Sequence, residues 1–408
     1  MDQRVTCCVV GGGPAGMMLG VLLARAGVDV LVLEKHKDFL RDFRGDTIHP
    51  STLRLMEELG WLADFLKLPH QEVKRLSGQF GDTRIELANF SNLPISTKFI
   101  ALMPQWDFLD FLAEKGRAYP KFSLRMNAEA TDLIYDGDRV SGVKVITPEG
   151  PLTVVADLVV AADGRSSTLR KSAGLVSESF GAPMDVMWFR LPRLPTDTEE
   201  TQARFDAGHI FIMLQRGDYW QCAYVIPKGG DAKVRAAGLD AFCKSVGAVL
   251  PFDAARVDAI SDWDYVKLLT VAVDRLNEWA RPGLLCIGDA AHAMSPVGGV
   301  GINLAVQDAV ATANLLWQPL KEKRLTFDDL KKVQARRDFP TRATQRLQLT
   351  VQNVVIAKTL ANTGNLKPPL ALRLFNSLPF LSRIPARLIG LGFRPEHVSD
   401  AIRAGTGV

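Results

Sequence analysis

The chain has 408 residues, of which 47% are hydrophobic and 23% charged, and its formal net charge is +4. This composition is typical of a folded protein with more than one domain, and the evenly spread charge argues against a nucleic-acid-binding surface. The five cysteines lack C-x-x-C spacing, which argues against a disulfide framework and a zinc site and fits a reducing cytoplasm. No apolar run reaches about 18 residues, the length of a transmembrane span, so we expect a cytoplasmic protein. We also expect no metal site.

The first segment predicts a βαβ unit that binds a dinucleotide. An apolar strand is followed by Gly11, Gly13 and Gly16 in G-x-G-x-x-G spacing, an apolar helix, a second strand and Glu34. One glycine turns the chain, one lets the backbone approach a pyrophosphate, and one lets helix and strand pack closely. The helix N-terminus offers N–H groups to phosphates, and the carboxylate of Glu34 can accept hydrogen bonds from a ribose.

A polar loop with two arginines, Arg41 and Arg44, comes next and leads to a helix that begins near Pro50. A guanidinium at this place could bind phosphate oxygens in a forked geometry or could be a solvated loop charge. For Arg41 the solvated interpretation is preferred. The apolar spacing predicts a buried stripe on the helix, formed by Leu53, Met56, Leu59 and Leu62.

The middle of the chain predicts, in order, strands over 72–97, a helix over 105–117 and a strand pair over 130–147. A nearly all-apolar strand over 152–162 then ends at Asp163 and Gly164, where another helix begins. An acid and a glycine at a helix start are a second feature typical of nucleotide binding.

The segment 177–280 predicts an antiparallel sheet, with a hairpin at its centre over 209–226. Alternation places Trp220, Cys222 and Tyr224 on one face of the second hairpin strand. These side chains either line a substrate pocket or belong to the core, and the sequence leaves both interpretations open.

A third strand, loop and helix follow at 283–317. The strand ends in Gly288 and Asp289, and a glycine-rich loop after Pro296 opens a helix at about Ile302. Glycines near a helix start let backbone N–H groups meet a planar or anionic ligand. We interpret His292, within this motif, as structural.

The C-terminal part predicts helices. Thr326 and Asp329 predict a capping box for a long helix that Pro340 must bend or break. The apolar, proline-containing stretch 368–393 is predicted to pack against the body of the protein or a dimer partner, with a membrane surface as the alternative.

These three motifs, in this order, resemble those of the single-component FAD-dependent aromatic hydroxylases, flavoprotein monooxygenases of the para-hydroxybenzoate hydroxylase type. The resemblance implies an α/β fold with a three-layer, Rossmann-like FAD-binding domain, an inserted antiparallel-sheet substrate domain and a C-terminal helical segment. The implied divisions are 1–71, 98–176 and 270–340 for the discontinuous FAD-binding domain, 72–97 and 177–269 for the substrate-binding sheet domain, and 341–408 for the helical tail.

The resemblance also implies the cofactor site. Glu34 would bind the adenosine ribose, Arg44 the phosphates, Gln105 the flavin, Asp289 the ribityl chain, and Pro296 would lie beside the isoalloxazine. Backbone at Ile302 and Asn303 would meet the pyrimidine edge of the flavin. The complete implied FAD set is Gly11, Gly13, Pro14, Ala15, Gly16, Glu34, Lys35, Arg44, Gln105, Asp163, Gly164, Gly288, Asp289, Pro296, Gly299, Gly301, Ile302 and Asn303.

The family chemistry implied by this resemblance needs NADPH or NADH as co-substrate, although the chain has no second G-x-G-x-x-G. The donor would reduce FAD, O₂ would add at flavin C4a, and the resulting hydroperoxide would hydroxylate an aromatic or quinone-like small molecule. Candidate catalytic residues are Asp46, His49 and Pro296. Candidate substrate residues are Thr47, Trp220, Cys222, Tyr224 and Pro296. His49 is either a base that ionises a phenol or only a hydrogen-bonding group at a helix terminus.

Two other functions are compatible with an FAD fold. The first is another FAD-dependent oxidation, by an oxidase, a dehydrogenase or a halogenase. The W-x-W-x-I-P motif expected of a halogenase is absent, since Tyr265 stands two places after Trp263. The second is a non-catalytic flavin-fold protein that binds a partner, against which the intact second and third motifs argue.

Overall fold

A computed structural model describes residues 2–40, 47–198, 200–364, 368–369 and 379–405. The strands are β1 (Asp2–Val10), β2 (Val30–Leu33), β3 (Thr47–Ile48), β4 (Gln71–Val73), β5 (Arg75–Phe80), β6 (Thr83–Asn89), β7 (Ile100–Leu102), β8 (Phe122–Arg125), β9 (Glu129–Asp136), β10 (Arg139–Thr147), β11 (Gly150–Ala161), β12 (Ser177–Ser179), β13 (Met184–Pro192), β14 (Gln202–Asp206), β15 (His209–Arg216), β16 (Tyr219–Pro227), β17 (Lys267–Leu269), β18 (Asp274–Leu276), β19 (Ala280–Arg281) and β20 (Leu284–Cys286). The helices are α1 (Pro14–Arg25), α2 (Pro50–Glu58), α3 (Leu62–Phe65), α4 (Gln105–Arg117), α5 (Thr168–Ser172), α6 (Asp231–Ala236), α7 (Leu239–Gly247), α8 (Gly301–Lys321), α9 (Phe327–Val351), α10 (Ala357–Ala361), α11 (Arg383–Gly390) and α12 (Asp400–Ala404).

The core is an eight-stranded sheet in which β20, β11, β1, β2 and β8 are neighbours and run parallel. Their short apolar runs, such as the fully buried β2, are typical of parallel strands covered on both faces. Helix α1 contacts both α4 and α8. The antiparallel strands β9 and β10 extend the sheet, since β10 pairs with the first half of β11 and β9 pairs with β10. The predicted α/β class is therefore confirmed.

A second, seven-stranded sheet has the order β17-β13-β16-β15-β14-β5-β6. All its pairs are antiparallel except β14 with β5. Two separate chain segments, 75–89 and 184–269, therefore share one sheet. The residue limits predicted for the domains stay a prediction.

Helix α9 differs from expectation at Pro340. The predicted capping box of Thr326 and Asp329 is present, and the helix continues through Pro340 to Val351. Of the two predicted effects of Pro340, the break is therefore wrong and the bend stays a prediction. A proline removes one helical hydrogen bond, and burial of Pro340 against the body offsets this loss. A π-helical turn, Gln352–Ile356, follows and leads into α10.

The described part of the C-terminal stretch packs against the body of the protein. Ala386 on α11 and Leu391 just after it share a buried cluster with Phe90, Leu93 and Leu102. Across the described ranges, no helix combines the length and apolar character needed to cross a membrane.

Candidate functional site

The ends of four neighbouring parallel strands meet at one edge of the core sheet. Val10 at the end of β1 lies opposite both Leu33 of β2 and Ala161 of β11, and Ala161 lies opposite Cys286 of β20. Ligands of open α/β sheets bind at the carboxyl ends of the strands. The predicted cofactor residues that follow these ends within two positions are Gly11, Glu34, Asp163 and Gly288.

The three glycines of the first motif differ in their surroundings. Gly11 has φ of 108°, and a Cβ there would overlap the carbonyl oxygen of Ala162. A Cβ on Gly16 would overlap the carbonyl oxygen of Gly11, so both positions require glycine for the turn and its packing. A Cβ on Gly13 would meet no atom within 4 Å. Gly13 thus faces open space at the start of α1, where a pyrophosphate would fit.

Glu34 is 8% exposed and closes over the glycine turn. Its Oε2 accepts a hydrogen bond from the Gly12 N–H at 2.9 Å, and its Oε1 accepts one from the His36 N–H at 3.0 Å. The neighbouring predicted residue Lys35 is exposed. Two other predicted site residues, Arg44 and Asp46, lie outside the described residues.

Asp163 caps the first turn of α5 with one of its two carboxylate oxygens. Its Oδ2 accepts from the N–H groups of Thr168 and Leu169, at 2.9 and 3.3 Å. Its Oδ1 is buried and has no hydrogen-bond partner among the described residues. Burial raises the pKa of this carboxyl. Because a buried acceptor without a donor is costly, this oxygen is suited to a hydroxyl or N–H group of a bound ligand.

Asp289 follows β20, which is the neighbour of β11, the strand that Asp163 follows. Its side chain is 34% exposed and is 3.5 Å from the guanidinium of Arg165. Sequence reasoning assigned no role to Arg165, although it lies directly after Asp163 and Gly164. The long distance and the partial exposure leave the Asp289 carboxylate able to accept hydrogen bonds from ligand hydroxyls.

The loop before α8 is held against β3. Gly298 and Gly299 have φ of 77° and 63°, and a Cβ on Gly299 would overlap the hydroxyl of Thr47. That hydroxyl donates to the Gly299 carbonyl oxygen at 2.8 Å. Pro296 begins this loop and Gly301 begins α8, whose first N–H groups lack partners within the helix.

Asn303 joins this loop to the start of α2 through all of its hydrogen-bonding groups. Its Nδ2 donates to the carbonyl oxygens of Thr47 and Gly299, at 3.1 and 3.3 Å. Its Oδ1 accepts from the His49 N–H at 2.8 Å and from the Thr52 hydroxyl at 2.7 Å. Sequence reasoning assigned Asn303 only a backbone contact with the flavin, and the structural role of its side chain was missed.

His49 is completely buried at the N-terminal end of α2. Its Nδ1 is 2.7 Å from the carbonyl oxygen of Ile389, an acceptor, so Nδ1 carries the proton. Its Nε2 has no partner in the described part of the chain. Burial lowers the pKa of His49 to about 4, and the ring is therefore neutral at pH 7.

The alternation of Trp220, Cys222 and Tyr224 puts them on one face of β16, but this face packs against α7. All three share a buried cluster with Phe242 and Val246. The opposite face, with Ala223 and Val225, belongs to the cluster that includes Val297 of the glycine-rich loop. Hydrophobic packing with α7 accounts for the burial of Trp220, Cys222 and Tyr224, which favours the core interpretation over the pocket interpretation.

A buried polar network supports the Gly288 turn. Asp308 on α8 accepts from the Gly288 N–H at 3.1 Å, from Arg337 Nε at 2.9 Å, and lies 2.6 Å from His292 Nε2. Arg337 Nη1 also lies 3.3 Å from Glu396. Burial alone would raise the pKa of Asp308, but His292 and Arg337 hold it below its usual range. The interpretation of His292 as structural agrees with these contacts.

The residues of this edge fit FAD. Open space at Gly13, the unpaired oxygen of Asp163 and the accessible carboxylate of Asp289 supply acceptors and room along one line of strand ends. Gln105, predicted to meet the flavin, is a partly exposed residue at the start of α4. Ile302 is 8% exposed in the first turn of α8.

Comparison with known proteins agrees with this geometry. A family model described as an FAD binding domain matches residues 4–346. The 6-methylpretetramide 4-monooxygenase of Streptomyces rimosus is 32% identical over 382 residues, which are 93% of this chain and 89% of that protein.

Two solved structures share the fold. The OxyS anhydrotetracycline hydroxylase from Streptomyces rimosus matches with a TM-score of 0.75 and 24% identity, over 97% of this chain and 77% of that chain. The p-nitrophenol 4-monooxygenase PnpA from Pseudomonas putida DLL-E4 matches with a TM-score of 0.77 and 22% identity, over 100% of both chains.

Proposed function

Because this chain belongs to the family of FAD-dependent aromatic hydroxylases and monooxygenases, we propose that it hydroxylates an aromatic or quinone-like small molecule with NAD(P)H and O₂. In the balanced reaction, NAD(P)H, a proton, O₂ and an aromatic C–H give NAD(P)⁺, water and an aromatic C–OH. The relative from Streptomyces rimosus is named for 6-methylpretetramide, which is therefore the first aromatic compound to test.

The observation that carries this proposal is the alignment of the four strand ends. It supports one extended ligand across Glu34, Gly13, Asp163 and Asp289, in the order adenosine ribose, pyrophosphate and ribityl chain. Bound FAD would supply electron transfer from NAD(P)H to O₂ and, as a C4a-hydroperoxide, the oxygen atom. The protein would hold the cofactor, orient the aromatic ring and exclude water.

Within this proposal, His49 is a hydrogen-bond acceptor and not the base. A base must hold the proton that it takes, and the pKa of about 4 means that its surroundings disfavour the protonated ring. The backbone N–H of His49 is bound by Asn303, and Nδ1 by Ile389, so the ring orientation is fixed. Nε2 is the atom left to accept a hydrogen bond.

The test needs no substrate. The purified, FAD-loaded protein is reduced anaerobically and mixed with O₂ in a stopped-flow instrument while the flavin spectrum is followed. We expect an absorbing species to form before oxidised flavin returns, because a monooxygenase must hold activated oxygen long enough to transfer it. Free FAD, reduced and mixed in the same way, is the control.

Two results would contradict the proposal. If oxidised flavin returned directly, and hydrogen peroxide were released at the same rate, the protein would be an oxidase. Failure to bind FAD at all would leave a partner-binding protein on this fold.

A further inference from the structure

A cavity of about 310 Å³ lies between β18 and the second half of α9, separate from the line of strand ends. Its lining combines apolar surface, including Phe180 and Leu349, with cationic and polar side chains. The charged lining residues are Arg275, Arg342 and Arg346, and the uncharged polar ones are Gln345, Thr350 and Asn353. The proposed reaction assigns no role to any of them.

Arg275 is held rigidly in the cavity wall. It is 8% exposed, its Nη1 donates to Gln345 Oε1 at 2.7 Å, and its guanidinium lies 4.8 Å from the centre of the Phe180 ring. Its carboxylate neighbour, Glu178, is 3.9 Å away and more than half exposed. Burial, and the nearby charge of Arg342, lower the pKa of Arg275. Arg275 is thus a fixed cation whose charge is only weakly neutralised by the carboxylate of Glu178.

The other two arginines are one helical turn apart on α9. Arg342 pairs with Asp338 at 2.5 Å. Arg346 is exposed, and within the described ranges no carboxylate lies close enough to it to form an ion pair. Like charges at this spacing on a helix repel each other and destabilise it slightly. A bound anion would offset that repulsion.

The cavity wall is connected to the glycine-rich loop. Gln345 Nε2 donates to the carbonyl oxygens of Asp274 and Ala293, at 2.8 and 3.2 Å. One turn later, Gln348 Nε2 donates to those of Ser295 and Val297, at 2.8 and 2.9 Å. The cavity therefore adjoins the segment that contains Pro296, the residue proposed to lie beside the isoalloxazine.

We infer that this cavity binds the phosphates of the nicotinamide nucleotide donor. The inference rests on the proposed function, which requires such a donor, while the chain has a single G-x-G-x-x-G. Guanidinium groups bind phosphate oxygens with paired hydrogen bonds, and three of them face one volume here. The volume is at the lower end of ligand sites, about 300–1,000 Å³, so it accommodates a phosphate-bearing part of the donor.

The binding test uses FAD-loaded protein and isothermal titration calorimetry with three probes: ADP-ribose, its 2′-phosphate and inorganic phosphate. The variant combines Arg342→Gln and Arg346→Gln, both at exposed positions, so the fold should be retained. We expect the Kd of the nucleotide probes to rise at least tenfold. A control variant combining Arg117→Gln and Arg383→Gln removes the same charge from exposed positions on α4 and α11 and should bind as the parent does.

A second measurement separates this inference from the proposed function. In anaerobic mixing with NADPH or NADH, the donor concentration for half-maximal flavin reduction should rise at least tenfold in the double variant, with the limiting rate unchanged. If the parent is reduced and the double variant has an unaltered Kd, the cavity inference is wrong and the proposed function stands. If neither donor reduces the parent, the proposed function fails. Inorganic phosphate binding as tightly as the nucleotides would identify a general anion site and overturn the inference.

Discussion

At the residue scale, His49 is a titratable group whose charge is suppressed by folding. Its pKa is about 4 in the folded protein, while an unfolded histidine titrates near pH 6.5. The unfolded state therefore binds more protons between these values, and stability falls as the pH drops from 6.5 towards 4. His49→Asn keeps an N–H donor for the Ile389 carbonyl and does not titrate. Between pH 7 and 5, the variant should gain about 2 kcal/mol relative to the parent.

Urea unfolding at the two pH values measures this difference. His70→Asn is the control, because the His70 ring also bonds a backbone carbonyl, that of Leu68, but is only half-buried. If the free-energy gap between His49→Asn and the parent is the same at both pH values, the ring is not a buried neutral group.

Local sequence patterns are enough to predict the turn and packing of the first motif, while its contacts with FAD stay a prediction. A Cβ at Gly16 would meet Gly11 of the same motif, whereas the atoms that exclude a Cβ at Gly11 belong to Ala162 and Asp163, after a neighbouring strand. The environment of His49 depends on Ile389, which lies 340 positions away in the chain. No local pattern contains that contact, and the two interpretations of His49 could not be separated from the sequence.

At the element scale, the junction between α8 and the start of α2 depends on the amide of Asn303. Asn303→Asp keeps an acceptor for the His49 N–H and the Thr52 hydroxyl. It also places a carboxylate oxygen against the carbonyl oxygens of Thr47 and Gly299. Two partly buried donor bonds at about 1 kcal/mol each are lost, and acceptors are left facing each other. We expect a loss of at least about 2 kcal/mol and weaker FAD binding, measured by chemical unfolding and by flavin titration.

Asn314→Asp is a matched control on the same helix. Asn314 also donates to one backbone carbonyl, of His397, and accepts from one N–H, of Ser399, but at a more exposed place remote from the glycine-rich loop. It should lower stability by less and leave the FAD affinity unchanged. Equal losses of FAD affinity in the two variants would rule out a specific role for the Asn303 junction.

Elements themselves were largely predictable. Apolar runs, glycine turns and capping residues predicted α4 at Gln105–Arg117, the β15–β16 hairpin and the start of α9. The exception is Pro340, where a local rule predicts an interruption. Burial of that part of α9 against the body is a tertiary effect, and it outweighs one missing hydrogen bond.

At the scale of the whole molecule, residues distant in sequence converge on Asp308. The third motif was recognised, but Asp308 had no assigned role because its partners Arg337 and Glu396 lie outside the motif. An acid in the apolar run of α8 was the available signal, since buried carboxylates are usually paired. Its partners could not be identified without the fold.

The network makes a prediction about long-range support of the cofactor edge. Arg337→Met removes the guanidinium that binds Asp308, which is completely buried, and leaves His292 as its remaining ring partner. Removing one member of a buried pair costs about 3–5 kcal/mol, and we expect that loss in urea unfolding at pH 7. The Gly288 N–H bonds the same carboxylate, so FAD should also bind more weakly.

The pH dependence of this loss identifies its cause. In the parent, the pKa of Asp308 is held low, so its contribution is constant above the usual carboxyl range and is lost only as the pH falls through that low value. In Arg337→Met, His292 still bonds the carboxylate, but the guanidinium no longer opposes the effect of burial, so the pKa of Asp308 should rise from its value in the parent. The folded variant then takes up a proton at a higher pH than the folded parent does. The destabilisation should therefore shrink between pH 7 and pH 5.

Arg336→Met is the control, because Arg336 binds Glu396 at 2.7 Å from a partly exposed position and does not touch Asp308. It should cost less than about 1 kcal/mol, with no change in FAD affinity. A loss in Arg337→Met that is equal at both pH values would mean that lost packing, and not the carboxylate left without its guanidinium, destabilises the variant. In that case the strand ends, and not the Asp308 carboxylate, would stabilise the Gly288 turn.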